Sequence, residues 1–298
     1  MLDGFRAETV RVNRTDVFVR SAGTGDPVLL IHGFPQTGDC WHEIAPALAE
    51  QFTVIVPDLS GYGASGKPAP SPDHAAHSKR EMARDLVEVM AALGHERFAV
   101  VGHDRGARVG FRLCMDHPER ATSFCSLDVI PTLDMWEKID LSGAVGGFHW
   151  SYLAQPAPIP ETMIGADPDF FYGYLMRKWA APDFTFKPAA MAAYLKAMRD
   201  PTVIEGTCED YRAGATIDVS HDRADREEGR KLSCPLLFLF GAVRGFGGPD
   251  GPADPLDTWR EWSSSTVEGG PVPCGHFLPE EAPDTVLDRL LPFLLKAD

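Results

Sequence analysis

The chain has 298 residues, 44% of them hydrophobic and 24% charged, which suits one large α/β core with an inserted subdomain and argues against disorder. Its 28 Lys and Arg stand against 43 Asp and Glu, a net charge of -15, so nucleic acid and anionic membrane surfaces are poor partners. An anionic ligand would need arginines concentrated locally to overcome that field.

The six cysteines (Cys40, Cys114, Cys125, Cys208, Cys234 and Cys274) stand singly with no C-x-x-C, which predicts reduced, buried thiols and neither a zinc site nor a disulfide framework. The start, Met1-Leu2-Asp3-Gly4-Phe5-Arg6, lacks a basic segment followed by an apolar one, and no apolar run approaches the roughly 20 residues that span a bilayer. A cytoplasmic protein is expected.

In chain order, Val10 to Val19 alternates enough to predict two short antiparallel strands. Pro27 to Ile31, Phe52 to Val56, Phe98 to Val101, Ser123 to Leu127 and Leu236 to Phe240 are short apolar runs of the kind buried on both faces of a sheet. Lys79 to Leu93 carries Met82, Leu86, Val89, Met90 and Leu93 at helical spacing. Strands alternating with helices imply a mostly parallel sheet flanked by helices. From 133 to 225 buried-strand runs stop, and helical pattern rich in aromatics and prolines continues through Trp136, Phe148, Trp150, Phe170, Tyr174 and Trp179. The predicted organisation is a core of 1–132 and 226–298 with a helical cap of 133–225 over the strand ends, where such sheets bind ligands. No internal repeat or low-complexity segment is evident.

Chemistry concentrates at Gly102-His103-Asp104-Arg105-Gly106. The pattern Gly-x-Ser-x-Gly turns a strand sharply into a helix and presents one side chain above the sheet, and here that side chain is a carboxylate. A serine hydroxyl attacks carbonyls; a carboxylate can displace a leaving group from saturated carbon and become an ester. Asp104 therefore points to a carbon-halogen bond or an epoxide. His32-Gly33-Phe34-Pro35 follows the first buried strand, where α/β-hydrolases place one oxyanion amide, so the amides of Phe34 and Arg105 are the expected pair. In Gly275-His276-Phe277, after a predicted strand at Thr266 to Val272, His276 is the leading base. His42, His74, His77, His95, His117 and His221 read as ordinary surface or helix-end residues. For the acid that orients His276, Asp128 closes a buried strand, and Asp250, Asp254 and Asp257 follow the next one; Asp128 is favoured because a carboxylate closing a buried strand needs a reason.

Together, these segments with Leu127-Asp128, Ala107-Arg108, His149-Trp150 and Asp210-Tyr211-Arg212-Ala213 resemble the haloacetate dehalogenase family of the α/β-hydrolase superfamily, specifically its fluoroacetate dehalogenase group, from about Phe5 to the C-terminus. The resemblance supports Asp128 as the acid and implies that Arg105 and Arg108 clamp a substrate carboxylate. It implies a halide pocket of His149, Trp150 and Tyr211, and a homodimer. Arginine forks suit carboxylates, and an imidazole, an indole N–H and a phenol are all donors for a departing fluoride. The chain departs from the pattern at Ser60, where relatives commonly carry arginine, and in a glycine-rich insertion from Val243 to Ala253.

The expected reaction is hydrolytic dehalogenation of a small anionic haloacetate, with no metal or organic cofactor. Two alternatives stand beside it: an epoxide hydrolase, which would want paired cap tyrosines and no arginine pair, and a non-catalytic ligand receptor on the same fold. A haloalkane dehalogenase would more often show tryptophan beside the nucleophile.

Overall fold

A computed structural model of the chain describes all residues except 13, 245–254 and 297–298. Eight strands form its sheet: β1 (Arg6–Arg11), β2 (Asp16–Ala22), β3 (Pro27–Ile31), β4 (Thr53–Pro57), β5 (Phe98–His103), β6 (Ala121–Leu127), β7 (Leu236–Gly241) and β8 (Val267–Val272). The order is β1-β2-β4-β3-β5-β6-β7-β8, antiparallel at β1, β2 and β4 and parallel from β4 through β8. The apolar runs recognised in the sequence lie in β3 to β7, because a strand covered on both faces has no polar side to interrupt it. Leu29 and Ile31 face one core layer, and Val28 and Leu30 face the other.

On the first face pack α2 (Lys79–Ala92) and α3 (Arg105–Asp116), and on the other α1 (Ala45–Leu48) with α14 (Pro283–Leu294). Ser78 caps α2 by accepting from the Glu81 amide at 3.3 Å, satisfying one of the N–H groups that the first turn leaves unpaired. The helical stretch inserted between β6 and β7 comprises α4 (Thr132–Lys138), α5 (Leu141–Gly146), α6 (His149–Leu153), α7 (Ile159–Ala166), α8 (Pro168–Trp179), α9 (Pro188–Met198), α10 (Pro201–Ala215) and α11 (Ile217–Glu227). Two further helices, α12 (Pro255–Glu261) and α13 (Leu278–Glu281), flank β8. None of the helices is long and apolar enough to cross a membrane, among the described residues. All six cysteines are free and buried.

This topology selects where a ligand can sit. Strand β3 lies between β4 and β5, so the loops leaving β3 and β5 turn to opposite faces and open a crevice at their carboxyl ends. Ile31 pairs with Gly102 in register, which brings the residues after β3 beside those after β5.

Candidate active site

The elbow is strained in the way its sequence requires. Asp104 has φ 50° and ψ -123°, a positive φ that costs a non-glycine residue about 1–3 kcal/mol. The helix that follows can approach the strands only because Gly106 has no Cβ, which would collide with the carbonyl oxygens of Ile31 and His32. Gly33 likewise leaves room for the Asp104 side chain itself.

Phe34 donates its backbone N–H to Asp104 Oδ1 at 2.8 Å, and the Arg105 amide also bonds to the carboxylate. Both expected oxyanion amides therefore face one group. His32 holds their loop in place, with Nδ1 3.0 Å from the Gly33 carbonyl and Nε2 accepting from the Leu59 amide at 2.9 Å. Burial pushes the Asp104 carboxyl up, but His276, the Arg105 amide and the Arg105 charge outweigh it, and the group stays below the usual carboxylate range.

His276 donates from Nδ1 to Asp128 Oδ2 at 2.6 Å, which aims Nε2 at Asp104 Oδ2, 3.7 Å away. Asp128 Oδ1 accepts from the Gly241 amide at 2.8 Å, and Asp128 also sits at positive φ (57°) as it leaves β6. Of the acids weighed against it, Asp257 is exposed and bonds Arg260, while Asp250 and Asp254 lie outside the described residues. Burial lowers the His276 pKa, yet the bond to Asp128 and the charges of Asp128 and Asp104 raise it above the ordinary imidazole value.

The other half of the site comes from the cap. His149, Trp150 and Tyr211 are buried and packed edge to face, with centroids 5.8 Å apart for His149 and Tyr211 and 5.9 Å for Trp150 and Tyr211. Tyr211 also meets Phe34 at 5.2 Å, so these rings roof the loop that carries Phe34. Burial holds the His149 imidazole down to about 3, leaving it neutral, and its Nδ1 is buried without a partner.

The two arginines differ. Arg105 commits Nε and Nη2 to Asp210 at 2.9 and 2.8 Å, leaving only Nη1 buried and unpartnered. Arg108 makes one long contact from Nη1 to Thr132 Oγ1, 3.5 Å, and its Nε has no partner. Its guanidinium lies 4.7 Å over the Trp150 ring, and burial followed by repulsion from Arg105 pushes its pKa down to about 10.

Several residues at the site escape the sequence reading. Trp179 accepts the His276 amide at its carbonyl, 3.0 Å, and its ring lies 4.6 Å from His149 and 5.6 Å from His276. His103 bonds the His276 carbonyl through Nε2 at 2.7 Å. Glu281 accepts from the amides of Gly275, Phe277 and Ala181 at 2.7, 2.7 and 2.8 Å, gripping both sides of His276. The only signal for Glu281 is its place in the segment after His276; Trp179 is one of thirteen aromatics between 133 and 225. His77, read as an ordinary surface or helix-end residue, does end a short 3-10 turn but is buried, 1% exposed, against Gly61. Ser60 is buried and donates to Asp85 Oδ2 at 2.6 Å, an oxygen that Arg14 also reaches at 2.7 Å. Of the Val243 to Ala253 insertion, 245–253 lie outside the described residues. No group of three or more His, Cys, Asp or Glu is disposed to hold a metal ion, among the described residues.

Residues 26–283 match the family described as the alpha/beta hydrolase fold. The chain is 42% identical to fluoroacetate dehalogenase of Burkholderia sp. over 298 residues, covering 100% of this chain and 96% of that protein. It is 32% identical to soluble epoxide hydrolase of Corynebacterium sp. (strain C12), covering 98% and 95%. Among solved structures, an α/β hydrolase from Nostoc sp PCC 7120 superposes with a TM-score of 0.95 at 46% identity, covering 99% of each chain. With an aspartate elbow, a late-chain histidine and full-length similarity to these proteins, the chain belongs to the α/β-hydrolase family, as a member of its haloacetate dehalogenase group.

Proposed function

We propose that this enzyme hydrolyses haloacetates, with fluoroacetate converted to glycolate and fluoride. The observation that carries the reading is Arg108, a buried guanidinium with an unpartnered Nε beside a carboxylate nucleophile. A buried cation with no carboxylate paired to it is costly unless a ligand supplies the counter-charge. Neutral epoxides and haloalkanes offer none.

Asp104 Oδ2 forms a bond to the α-carbon as the carbon-fluorine bond breaks, and the electron pair leaves with fluoride. Donors from His149, Trp150 and Tyr211 stabilise the charge that develops on it. Oδ1, held by the Phe34 amide, becomes the carbonyl oxygen of the glycolyl ester. Esterification also deletes a negative charge that raises the His276 pKa, so the histidine becomes a neutral base for the step that needs one. Nε2 then takes a proton from water, the hydroxide attacks Asp104 Cγ, and the oxyanion forms on Oδ1 against the two amides. Collapse expels glycolate, which recovers the proton from His276, and the Asp104 carboxyl left behind loses the other water proton to solvent and is again a carboxylate. Neither step calls for a metal or organic cofactor.

Epoxide hydrolysis uses the same floor, but a cap tyrosine would have to protonate the epoxide. Tyr211 and Tyr172 both meet Phe34, at 5.2 and 5.8 Å, so it is the arginines and not the tyrosines that favour an acid over an epoxide. Fluoride release from fluoroacetate, chloride release from chloroacetate and diol formation from an aryl epoxide, measured side by side, test the reading. Halide release from both acids with little epoxide opening is expected. Faster epoxide opening would replace the proposal, and no turnover of any substrate would favour a ligand receptor.

A further inference from the structure

Asp210 is fully buried on α10, immediately before Tyr211, and every lone-pair direction of its carboxylate is used. Oδ2 accepts from Arg105 Nε at 2.9 Å and from the Tyr62 hydroxyl at 2.6 Å. Oδ1 accepts from Arg105 Nη2 at 2.8 Å and from Lys79 Nζ, while the Asp210 carbonyl accepts a second bond from Arg105 Nη2 at 2.6 Å. Lys79 is itself tied to Asp218 through its backbone amide at 2.9 Å. Four elements thus converge on one carboxylate: the elbow, α10, the start of α2 and the loop after β4.

Bidentate pairing leaves a guanidinium no rotational freedom, so it fixes Nη1 as the single open donor of Arg105. The Tyr211 ring closes the remaining side, 4.0 Å from the guanidinium carbon, and a side chain at Gly214 would meet Nη2 at 2.9 Å. The pairing also governs charge. Arg105 follows Asp104 directly in sequence, and an uncompensated guanidinium there would be drawn onto the nucleophile it adjoins. Pairing to Asp210 opposes that pull, so that the Arg105 charge helps keep Asp104 ionised without leaving its Asp210 pair, and Arg108 is the guanidinium with no ion-pair partner on that side among the described residues.

We propose that Asp210, braced by Lys79 and Tyr62, is a specificity-determining positioning residue that keeps Arg105 off Asp104 and open to the substrate carboxylate. The inference rests on the haloacetate reading. Its test is the ratio of ester-formation rates, in single-turnover kcat/KM, for chloroacetate over chloroacetamide, which presents the same carbon-chlorine bond without the charge. In Asp210→Asn that ratio should fall by about ten-fold or more, the worth of one charge-assisted hydrogen bond, with KM for chloroacetate absorbing much of the change. Tyr62→Phe, which removes one of the bonds to Asp210 and leaves the ion pairs in place, should lower the ratio by a smaller factor and keeps the test available if Asp210→Asn does not fold. Equal losses for both substrates, with the ratio at its wild-type value in the folded variants, would overturn the inference and make Asp210 a packing residue. A wild-type enzyme with no preference for chloroacetate would instead overturn the haloacetate reading, and this inference with it.

Discussion

The floor of the site and its roof are held by different means. On the floor, polar groups are largely satisfied by one another and by backbone: Asp104 Oδ1 by the Phe34 amide, Asp128 by His276 and the Gly241 amide, and the His276 loop by Trp179, His103 and Glu281. On the roof and wall, rings pack edge to face, and His149 Nδ1, Arg105 Nη1 and Arg108 Nε are buried without partners. Backbone-held groups reproduce one geometry regardless of ligand, which suits steps that every substrate must pass through. Open buried donors are stable only when something arrives to fill them, and so they decide what is accepted. Chemistry should therefore fail on floor substitutions for every substrate, and selectivity should fail on roof substitutions.

The largest break is Asp104→Asn, which replaces a carboxylate by an amide of nearly the same shape. Turnover should fall on the order of 10⁶-fold for all haloacetates alike, the scale of losing a nucleophile. Steady-state halide release measures it, and retention of appreciable activity would mean that another group attacks carbon.

Roof substitutions should instead separate the halides. Tyr211→Phe or Trp150→Phe removes one donor and keeps a ring, a loss of roughly 2.7 to 4 kcal/mol if it acts like an oxyanion-hole donor. Fluoride depends on such bonds more than larger, polarisable chloride does. Single-turnover ester formation should accordingly drop much further for fluoroacetate than for chloroacetate, and equal losses would make these side chains mere packing.

Arg108→Leu should cost every carboxylate substrate about ten-fold to a hundred-fold, from charge-assisted bonds worth roughly 1.5 to 3 kcal/mol each. A neutral haloalkane should be handled no worse, and kcat/KM for the two classes sharpens the division of labour between the arginines.

The smallest effect is a shift in pH dependence. His276 has a raised pKa in the free enzyme, so its protonated form dominates below that value, and ester hydrolysis, which needs the neutral ring, should slow as pH falls. Because esterified Asp104 no longer carries charge, the midpoint for breakdown of the ester should lie below the midpoint for His276 in the free enzyme. Imidazole titration by NMR against a pH series of single-turnover hydrolysis gives both, and coincident midpoints would remove Asp104 charge as a determinant.

The same division explains what could be read in the sequence. The buried strands announce themselves as unbroken apolar runs, and Asp104, Phe34 and His276 sit in short motifs at fixed distances from strand ends; Asp128 is favoured among four acids because it closes a buried strand, and the resemblance supports it. β1 and β2 extend beyond Val10 to Val19, to Arg6 and Ala22, because half-exposed antiparallel strands show a weaker alternation. Cap residues carry no such positional logic. The resemblance alone singles out His149, Trp150 and Tyr211, and nothing in the local pattern marks Trp179, since a buried aromatic looks alike whether it packs a core or lines a site. Asp210 lay within a quoted motif, but its bonds to Arg105, Lys79 and Tyr62 span 105, 131 and 148 residues and exist only once the cap is folded over the sheet.

The most direct test of the two-step account is the His276→Asn variant incubated with fluoroacetate and examined by intact mass and peptide mapping. The floor as described forms the ester without His276 and needs it only for the water step, so the variant should release one equivalent of fluoride and retain one carboxymethyl group on Asp104. Fluoride release with an unmodified Asp104, or modification at any other residue, would contradict it.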